Sequence, residues 1–338
     1  MAGGDADVRG DHEGGSALPG GSLSRVRRSL IRADIAAVVG PTASGKSAIA
    51  EAAADRFGAV IISVDSVQVY RGMDIGTAKP TQASRDRFDY RLIDVCEPEE
   101  DLSVQAYQAL ARQQLDELLD SDTRVIVAGG SGLHFRSLVD PLTFAPTDGS
   151  LRSTLNEMSP EDARAELVAA DGAAGDVVDL SNPRRVVRAL EILRLTGSTP
   201  TERAGGAEYR AVQRYDSLYG FKAVGVDSAE RSHARVQKRL MAMLADGLLE
   251  EVARVRPHLG ASAAQAVGYK EFFAVLDGSE QFESGILQTE RATNALVKRQ
   301  RTYFRRDPRI MWLTWQDDEE KRITEAVDRV GEMMQWIS

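Results

Sequence analysis

Short apolar runs rich in β-branched residues alternate with amphipathic segments in the first half of the chain. Three runs predict buried strands, at residues 35–39, 59–64 and 125–128, because such runs are typical of strands that are covered on both faces. Helical patterns follow the first run at residues 47–57 and precede the third at about residues 104–119. This alternation predicts an α/β fold with a parallel sheet flanked by helices.

The pattern becomes mostly helical beyond Pro146. Residues 153–170 and 184–196 read as helices, and residues 219–226 return to the strand pattern. Further helices are predicted at residues 229–249, 270–276 and 282–305. We therefore expect a helical insertion domain at residues 146–215, between core segments at residues 34–145 and 216–338.

The first 33 residues are rich in Gly, Asp and Ser and have few apolar side chains. This composition predicts a disordered extension. Its arginine-bearing stretch, residues 25–32, is interpreted as a solvated basic segment rather than as an RNA contact.

Composition and charge narrow the class of protein. The chain has 338 residues, of which 43% are hydrophobic and 28% charged, with a net charge of -9. No apolar run approaches the roughly 20 residues that span a membrane. The only cysteine, Cys96, and the lack of an apolar secretory signal predict a cytoplasmic protein without a membrane partner. The acidic total argues against nucleic-acid binding by the whole surface but leaves local basic patches possible.

A glycine-rich segment, GPTASGKS, follows the first predicted strand and fits the pattern G-x-x-x-x-G-K-[ST]. Backbone N–H groups of such a loop and the helix that follows it attract phosphate groups. The lysine adds a positive charge, and the Ser47 hydroxyl is the predicted ligand of a Mg²⁺ cofactor. The predicted diphosphate-binding residues are Gly40, Pro41, Thr42, Ala43, Ser44, Gly45, Lys46 and Ser47.

The loop alone leaves the ligand open, because it binds many di- and triphosphates. A small-molecule or nucleotide kinase is one alternative. A nucleotide-dependent RNA-binding protein without transferase chemistry is another.

Several longer segments distinguish between these alternatives. Together with GPTASGKS, the segments ISVDSVQVYRGMDIGTAKP (62–80), GGSGLHF (129–135), NPRRVVRALE (182–191), AVGYKE (266–271) and KRQRTYFRR (298–306) resemble the bacterial tRNA dimethylallyltransferases. The resemblance implies a P-loop NTPase-like core, dimethylallyl diphosphate as donor, and the adenine 3′ of the anticodon in tRNA as acceptor. We expect a monomer that contacts the anticodon stem-loop.

The resemblance also implies catalytic roles. Asp65 follows the second predicted strand, at the sheet edge where ligands of such folds bind. From the residues alone it is equally well a Mg²⁺ or water ligand, whereas the family match implies a general base for the adenine amine. Arg231 matches a family arginine on the pyrophosphate side, and Lys46 is expected to stabilise the leaving group.

The predicted tRNA contacts combine cations for phosphates with rings and amides for bases. Gln68 is the predicted reader of the adenine edge, because an amide both donates and accepts. Ser131, His134 and Tyr303 stand where the family usually has threonine, tyrosine and tryptophan, and the role of His134 is left open. The predicted contacts are Asp65, Ser66, Val67, Gln68, Ser131, Arg152, Arg184, Arg185, Val186, Val187, Arg188, Val267, Gly268, Tyr269, Lys270, Lys298, Arg299, Gln300, Arg301, Tyr303 and Arg305.

Overall fold

A computed structural model describes residues 35–336 of the chain. The predicted disordered extension and its basic stretch at residues 25–32 lie outside this part. Within the described residues, no helix is long and apolar enough to cross a membrane.

The centre of the fold is a six-stranded parallel sheet with strand order β3-β2-β4-β1-β5-β6. The central strand β1 is buried along its whole length, with Ile35 paired to Val125 of β4 and to Phe221 of β5. Its sequence, IAAVV, lacks polar side chains because helices cover both faces. The strands are β1 (Ile35–Val39), β2 (Val60–Ser63), β3 (Tyr90–Arg91), β4 (Val125–Gly129), β5 (Phe221–Gly225) and β6 (Ile310–Trp312).

Helices cover the two faces of this sheet with separate apolar clusters. One cluster packs Ile49 and Val330 against Val38, and the other packs Tyr107 and Phe135 against the opposite face. The α-helices in chain order are α1 (Lys46–Phe57), α2 (Gln82–Arg87), α3 (Val104–Asp120), α4 (Gly132–Val139), α5 (Gly149–Asn156), α6 (Pro160–Ala170), α7 (Pro183–Thr196), α8 (Pro200–Ala204), α9 (Ala207–Gln213), α10 (Ser232–Ala245), α11 (Leu248–Val255), α12 (Phe273–Leu276), α13 (Phe282–Arg305) and α14 (Glu319–Met334). The predicted P-loop NTPase-like parallel sheet is confirmed.

Helices α5 to α9 contain no strand between them and occupy most of the predicted insertion. Leu155 of α5, Leu167 of α6 and Leu190 of α7 are fully buried in an apolar cluster of their own. This segment therefore has a small core separate from the two clusters that cover the sheet.

Two predicted helices are interrupted in the structure. The helix expected at residues 153–170 ends at Asn156 and restarts at Pro160, because the Ser159 side chain caps a new helix whose first residue is proline. The helix expected at residues 229–249 begins with a short 3-10 turn at Ala229–Arg231 and breaks at Gly247, whose φ of 97° is left-handed.

The two edge strands and the last helix had no counterpart in the predicted elements. β3 has two residues and β6 has three, so their patterns are too short to recognise. Helix α14 is amphipathic and lies beyond the last predicted helix, at residues 282–305.

An ion-pair network joins the end of α4 to the chain that enters β6. Asp140 is fully buried and accepts a 2.6 Å hydrogen bond from Arg309, and Arg136 pairs with its other oxygen. Arg309 also binds Asp307 at 2.6 Å. Removing one member of such a buried network leaves the remaining charges without compensation.

We predict that Asp140→Asn lowers the free energy of unfolding by about 3 kcal/mol. The matched control is Asp55→Asn, which removes an exposed ion pair with Arg87 and is expected to cost less than about 1 kcal/mol. Urea unfolding of both variants measures the difference. Equal losses in the two variants would contradict a structural role for the buried network.

Candidate active site

The phosphate loop connects β1 to α1 in a tightly constrained conformation. Gly40 has a φ of 150°, and a Cβ atom there would lie 2.1 Å from the Val226 carbonyl oxygen. Gly45 adopts a left-handed conformation as the N-cap of α1. Both positions require glycine, and the turn directs the N-terminus of α1 toward the carboxyl edge of the sheet.

Two side chains from other helices hold this loop. Gln300 of α13 accepts a 2.8 Å hydrogen bond from the Thr42 N–H group. Arg235 of α10 donates a 2.6 Å hydrogen bond to the Ala43 carbonyl and lies over the Trp315 ring. Both contacts come from the protein itself and fix the path of the loop.

A cavity of about 590 Å³ lies beside the loop, at the carboxyl ends of the central strands. Thr42, Asp65 and Arg239 line its polar end. Apolar side chains, among them Leu240 and Met243 of α10, line another part. The cavity thus combines charged groups with an apolar wall.

Asp65 is held in a defined orientation just after β2. Its Oδ1 atom accepts hydrogen bonds from the backbone N–H groups of Val67 at 3.0 Å and Gln68 at 3.3 Å. These bonds close a turn that keeps the carboxylate at the cavity wall. The structure therefore places the predicted base where a substrate in the cavity would meet it.

Two cations lie within electrostatic range of this carboxylate. Burial is the largest of the effects that lower the pKa of Lys46 to about 8. The charge of Arg239 also lowers this pKa, whereas the charge of Asp65 raises it. Burial likewise lowers the pKa of Arg239, and Asp65 raises it. Two mutually repelling cations beside one carboxylate produce a site that favours an anionic ligand.

Arg239 was missed in the sequence analysis, and Arg231 does not reach the cavity. Arg231 precedes α10, is exposed, and binds Asp317 at 2.6 Å. Arg239 lies eight residues further along, two helical turns into α10, where its side chain points inward. The recurrence of arginine at positions 231, 235 and 239 was the signal available in the sequence.

His134 is neutral, packed and hydrogen-bonded. Its Nδ1 atom lies 2.7 Å from the Ser131 hydroxyl, and its ring meets the Tyr107 ring edge-on at 4.5 Å. Burial lowers the pKa of His134 to about 4, against an opposing effect of Asp65. The imidazole therefore does not titrate near neutral pH.

Many of the predicted tRNA contacts also surround the cavity. The Tyr303 ring packs so close to Gly132 that a Cβ atom there would lie 2.1 Å from it. The predicted residues that line the cavity are Asp65, Ser66, Val67, Ser131, Val267, Gly268, Arg299, Gln300 and Tyr303.

Other predicted contacts have partners within the protein. The Gln68 amide accepts from the Ser63 hydroxyl and donates to the Thr77 and Ala78 carbonyls. These bonds engage both amide hydrogens and one lone pair of the amide oxygen, so Gln68, the predicted reader of the adenine edge, also holds residues 77 and 78 in place. The buried Tyr269 hydroxyl donates to Glu251. Lys270, beside it, is about half exposed and lies 3.9 Å from Glu271.

The basic residues of α13 also fall into two groups, those with partners within the protein and those that are exposed. Arg301 makes a bidentate contact with Asp227 at 2.6 and 2.8 Å. Arg305 lies over the Trp312 ring at 3.9 Å. Lys298 and Arg299 are exposed.

Two of the predicted arginine contacts in the insertion bind a carboxylate of the insertion itself. Arg152 and Arg188 each bind the buried Glu191 carboxylate at 2.6 Å. Val186 is buried in the helical core, and Val187 is partly buried against it. Arg184 and Arg185 are exposed.

The comparisons with known proteins agree on one family. Residues 68–307 match the family described as IPP transferase. The tRNA dimethylallyltransferase of Bifidobacterium longum (strain NCC 2705) is 38% identical over 290 residues, which cover 82% of this chain and 86% of that protein. The tRNA dimethylallyltransferase of Moorella thermoacetica is 41% identical over 301 residues, which cover 85% of this chain and 91% of that protein.

A solved structure shows the same relationship. The full-length tRNA isopentenylpyrophosphate transferase from Bacillus halodurans aligns with a TM-score of 0.63 at 31% sequence identity. The alignment covers 89% of this chain and 96% of that one.

The low pKa of His134 predicts a specific dependence of stability on pH. Between its folded pKa of about 4 and the unfolded value of 6.5, the unfolded chain binds the extra proton, so stability falls as the pH drops through this range. We expect His134→Gln to reduce the loss between pH 7.5 and pH 5 by on the order of 2 kcal/mol. Urea unfolding at both pH values measures this, with exposed His233→Gln as control. An unchanged pH dependence in His134→Gln would contradict the neutral, buried imidazole.

Proposed function

The chain belongs to the IPP transferase family, as a tRNA dimethylallyltransferase, and from this premise we propose how its cavity performs the reaction. The enzyme transfers the dimethylallyl group of dimethylallyl diphosphate to the exocyclic amine of the adenine 3′ of the anticodon, and pyrophosphate is released. Family membership favours this function over the kinase and RNA-binding alternatives.

One observation carries the proposal. Asp65 after β2 and Arg239 of α10 line one cavity. Both lie within electrostatic range of Lys46 in the phosphate loop, although the three residues come from distant parts of the chain. Lys46 and Arg239 are cations that can bind a diphosphate, and Asp65 is a carboxylate that can accept a proton. A transfer from a diphosphate to an amine needs both kinds of group.

In the proposed reaction, the diphosphate lies on the loop with its dimethylallyl group in the cavity. The bond between the allylic carbon and the diphosphate oxygen breaks, and the adenine nitrogen bonds to that carbon. Lys46 and Arg239 stabilise the negative charge that develops on the leaving oxygen. Asp65 accepts the proton that the amine loses, so the product is a neutral secondary amine.

The acceptor adenine enters from the side of the cavity formed by Ser131, His134 and Tyr303. The Tyr303 ring is 36% exposed, which leaves a face on which an unpaired base can stack. Turning an adenine out of the anticodon loop costs a few kcal/mol, less for an unpaired base than for a paired one. Arg184, Arg185, Lys298 and Arg299 are the exposed cations that we propose for the tRNA backbone.

The residues at the loop also fit a Mg²⁺ ion. Ser47 is exposed in the first turn of α1, so its hydroxyl can complete an oxygen ligand set made mostly of phosphate oxygens and water. When bound, the ion would neutralise charge on the diphosphate. We further propose that the enzyme is a cytoplasmic monomer, in keeping with a tRNA substrate.

We predict that Asp65→Asn lowers the turnover number by about a hundredfold to ten-thousandfold, the usual contribution of a general base. Its affinity for tRNA should stay within about threefold, because the amide keeps the shape of the side chain. The test incubates the enzyme with Mg²⁺, dimethylallyl diphosphate and unmodified tRNA and measures nucleoside masses after digestion. The exposed Asp86→Asn is the control. Wild-type activity in Asp65→Asn would exclude this residue as the base, and no mass gain with the wild type would overturn the proposed function.

A second prediction separates the two arginines. Arg239→Gln should lower kcat/KM for the donor by about a hundredfold, because it removes a cavity-lining cation from the leaving group. Arg231→Gln removes only an exposed ion pair and should change kcat/KM by less than about threefold. Steady-state kinetics with varied donor concentration compares them. The reverse order of effects would restore Arg231 as the pyrophosphate-side arginine.

A further inference from the structure

A buried carboxylate lies behind the apolar part of the cavity. Glu251, in the first turn of α11, is 4% exposed. Its Oε2 atom accepts the N–H groups of Asp74 and Ile75, both at 2.9 Å. Its Oε1 atom accepts the Gly76 N–H group at 3.0 Å and the Tyr269 hydroxyl at 2.6 Å.

Four hydrogen bonds, rather than a close ion pair, therefore satisfy this charge. The cation that pairs with it, Arg254, is exposed and lies 3.9 Å away. Hydrogen bonds to an ionised acceptor are among the stronger ones in proteins. The carboxylate therefore holds its four donors in fixed positions.

These donors belong to two separate walls of the cavity. Residues 74–76 lead to Thr77, and Gly76 and Thr77 line the cavity from one side. Tyr269 follows Val267 and Gly268, which line it from another. The walls also touch directly, because a Cβ atom on Gly76 would lie only 2.4 Å from the Tyr269 ring.

The first wall is rigid within itself. The Thr77 hydroxyl donates to the Met73 carbonyl at 2.6 Å, and the buried Lys79 ammonium binds Asp74 at 2.9 Å. A change at Glu251 would therefore displace this segment as a unit rather than unravel it.

The two walls meet the apolar side of the cavity at the start of α11. Ile75 approaches Gly247, and the next residue, Leu248, lines the cavity with Leu240 and Met243 of α10. This side is the part of the cavity suited to a hydrocarbon group. On the proposed function, on which this inference rests, the five-carbon chain of the donor occupies it.

We propose that Glu251 is a positioning residue that sets the separation of these two walls and so limits the length of the prenyl chain that the donor can carry. It touches neither substrate. It acts through Gly76 and Thr77 on one side and through Tyr269 on the other.

The test is Glu251→Gln, which keeps the shape of the side chain but replaces one oxygen by an NH₂ group. An NH₂ group in place of Oε2 faces the Asp74 and Ile75 N–H groups, and one in place of Oε1 faces the Gly76 N–H group while the Tyr269 hydroxyl can turn to accept. Either orientation therefore leaves at least one backbone N–H group facing another donor. We expect KM for dimethylallyl diphosphate to rise about tenfold, while kcat and KM for tRNA change less than about threefold. The preference in kcat/KM for dimethylallyl over geranyl diphosphate should fall about tenfold.

Tyr269→Phe removes one of the four donors and keeps the ring, so it should shift the same preference in the same direction by a smaller factor. If Glu251→Gln does not fold, Tyr269→Phe alone tests the proposed role of Glu251. The matched control is Glu250→Gln, an exposed neighbour in the same helical turn, which should leave all three constants unchanged.

The outcomes separate this inference from the proposed function. Wild-type enzyme that transfers no dimethylallyl group contradicts both. Active wild-type enzyme with an unchanged donor preference in Glu251→Gln and Tyr269→Phe contradicts the role of Glu251 alone. A fall in kcat together with a rise in both KM values, without a change in the donor preference, would also contradict the proposed role of Glu251.

Discussion

The active site depends on two cations that the fold holds near one carboxylate. Burial lowers the pKa of both Lys46 and Arg239, the charge of Arg239 lowers the pKa of Lys46 further, and Asp65 opposes these effects. Such a pair of cations persists only when the surrounding structure fixes it. A diphosphate would compensate the charge of both cations, so this arrangement favours binding of the donor.

Helix α10 supplies much of this support. Arg235 holds the Ala43 carbonyl of the phosphate loop, Arg239 faces Asp65, and Leu240 lines the apolar wall. Arg235 and Arg239 are four residues apart and so lie on one face of the helix, and Leu240 follows Arg239 directly. One helix thus positions the loop, the leaving-group cation and the prenyl wall together, and a shift of this helix would disturb all three.

The sequence predicted the sheet well because its strands are buried runs and its phosphate loop has a fixed spacing. Strand β1 and helix α13 have the predicted bounds, whereas the helix break at Pro160 follows a Ser-Pro pair that is typical of a helix start. The site was harder to predict, because a residue type does not reveal its partner. Gln68 and Arg301 are residue types that often contact nucleic acids, yet in the structure they form hydrogen bonds with other groups of the protein. Arg239 was identified only by where α10 places it.

The most direct test is a crystal structure with an unreactive thio-analogue of dimethylallyl diphosphate and an anticodon stem-loop. The account predicts the diphosphate against Lys46 and Arg239, the five-carbon group beside Leu240 and Met243, and an Asp65 oxygen about 3 Å from the adenine amine. A structure in which Asp65 instead binds the metal ion, or in which the diphosphate lies near Arg231 and away from Arg239, would contradict it.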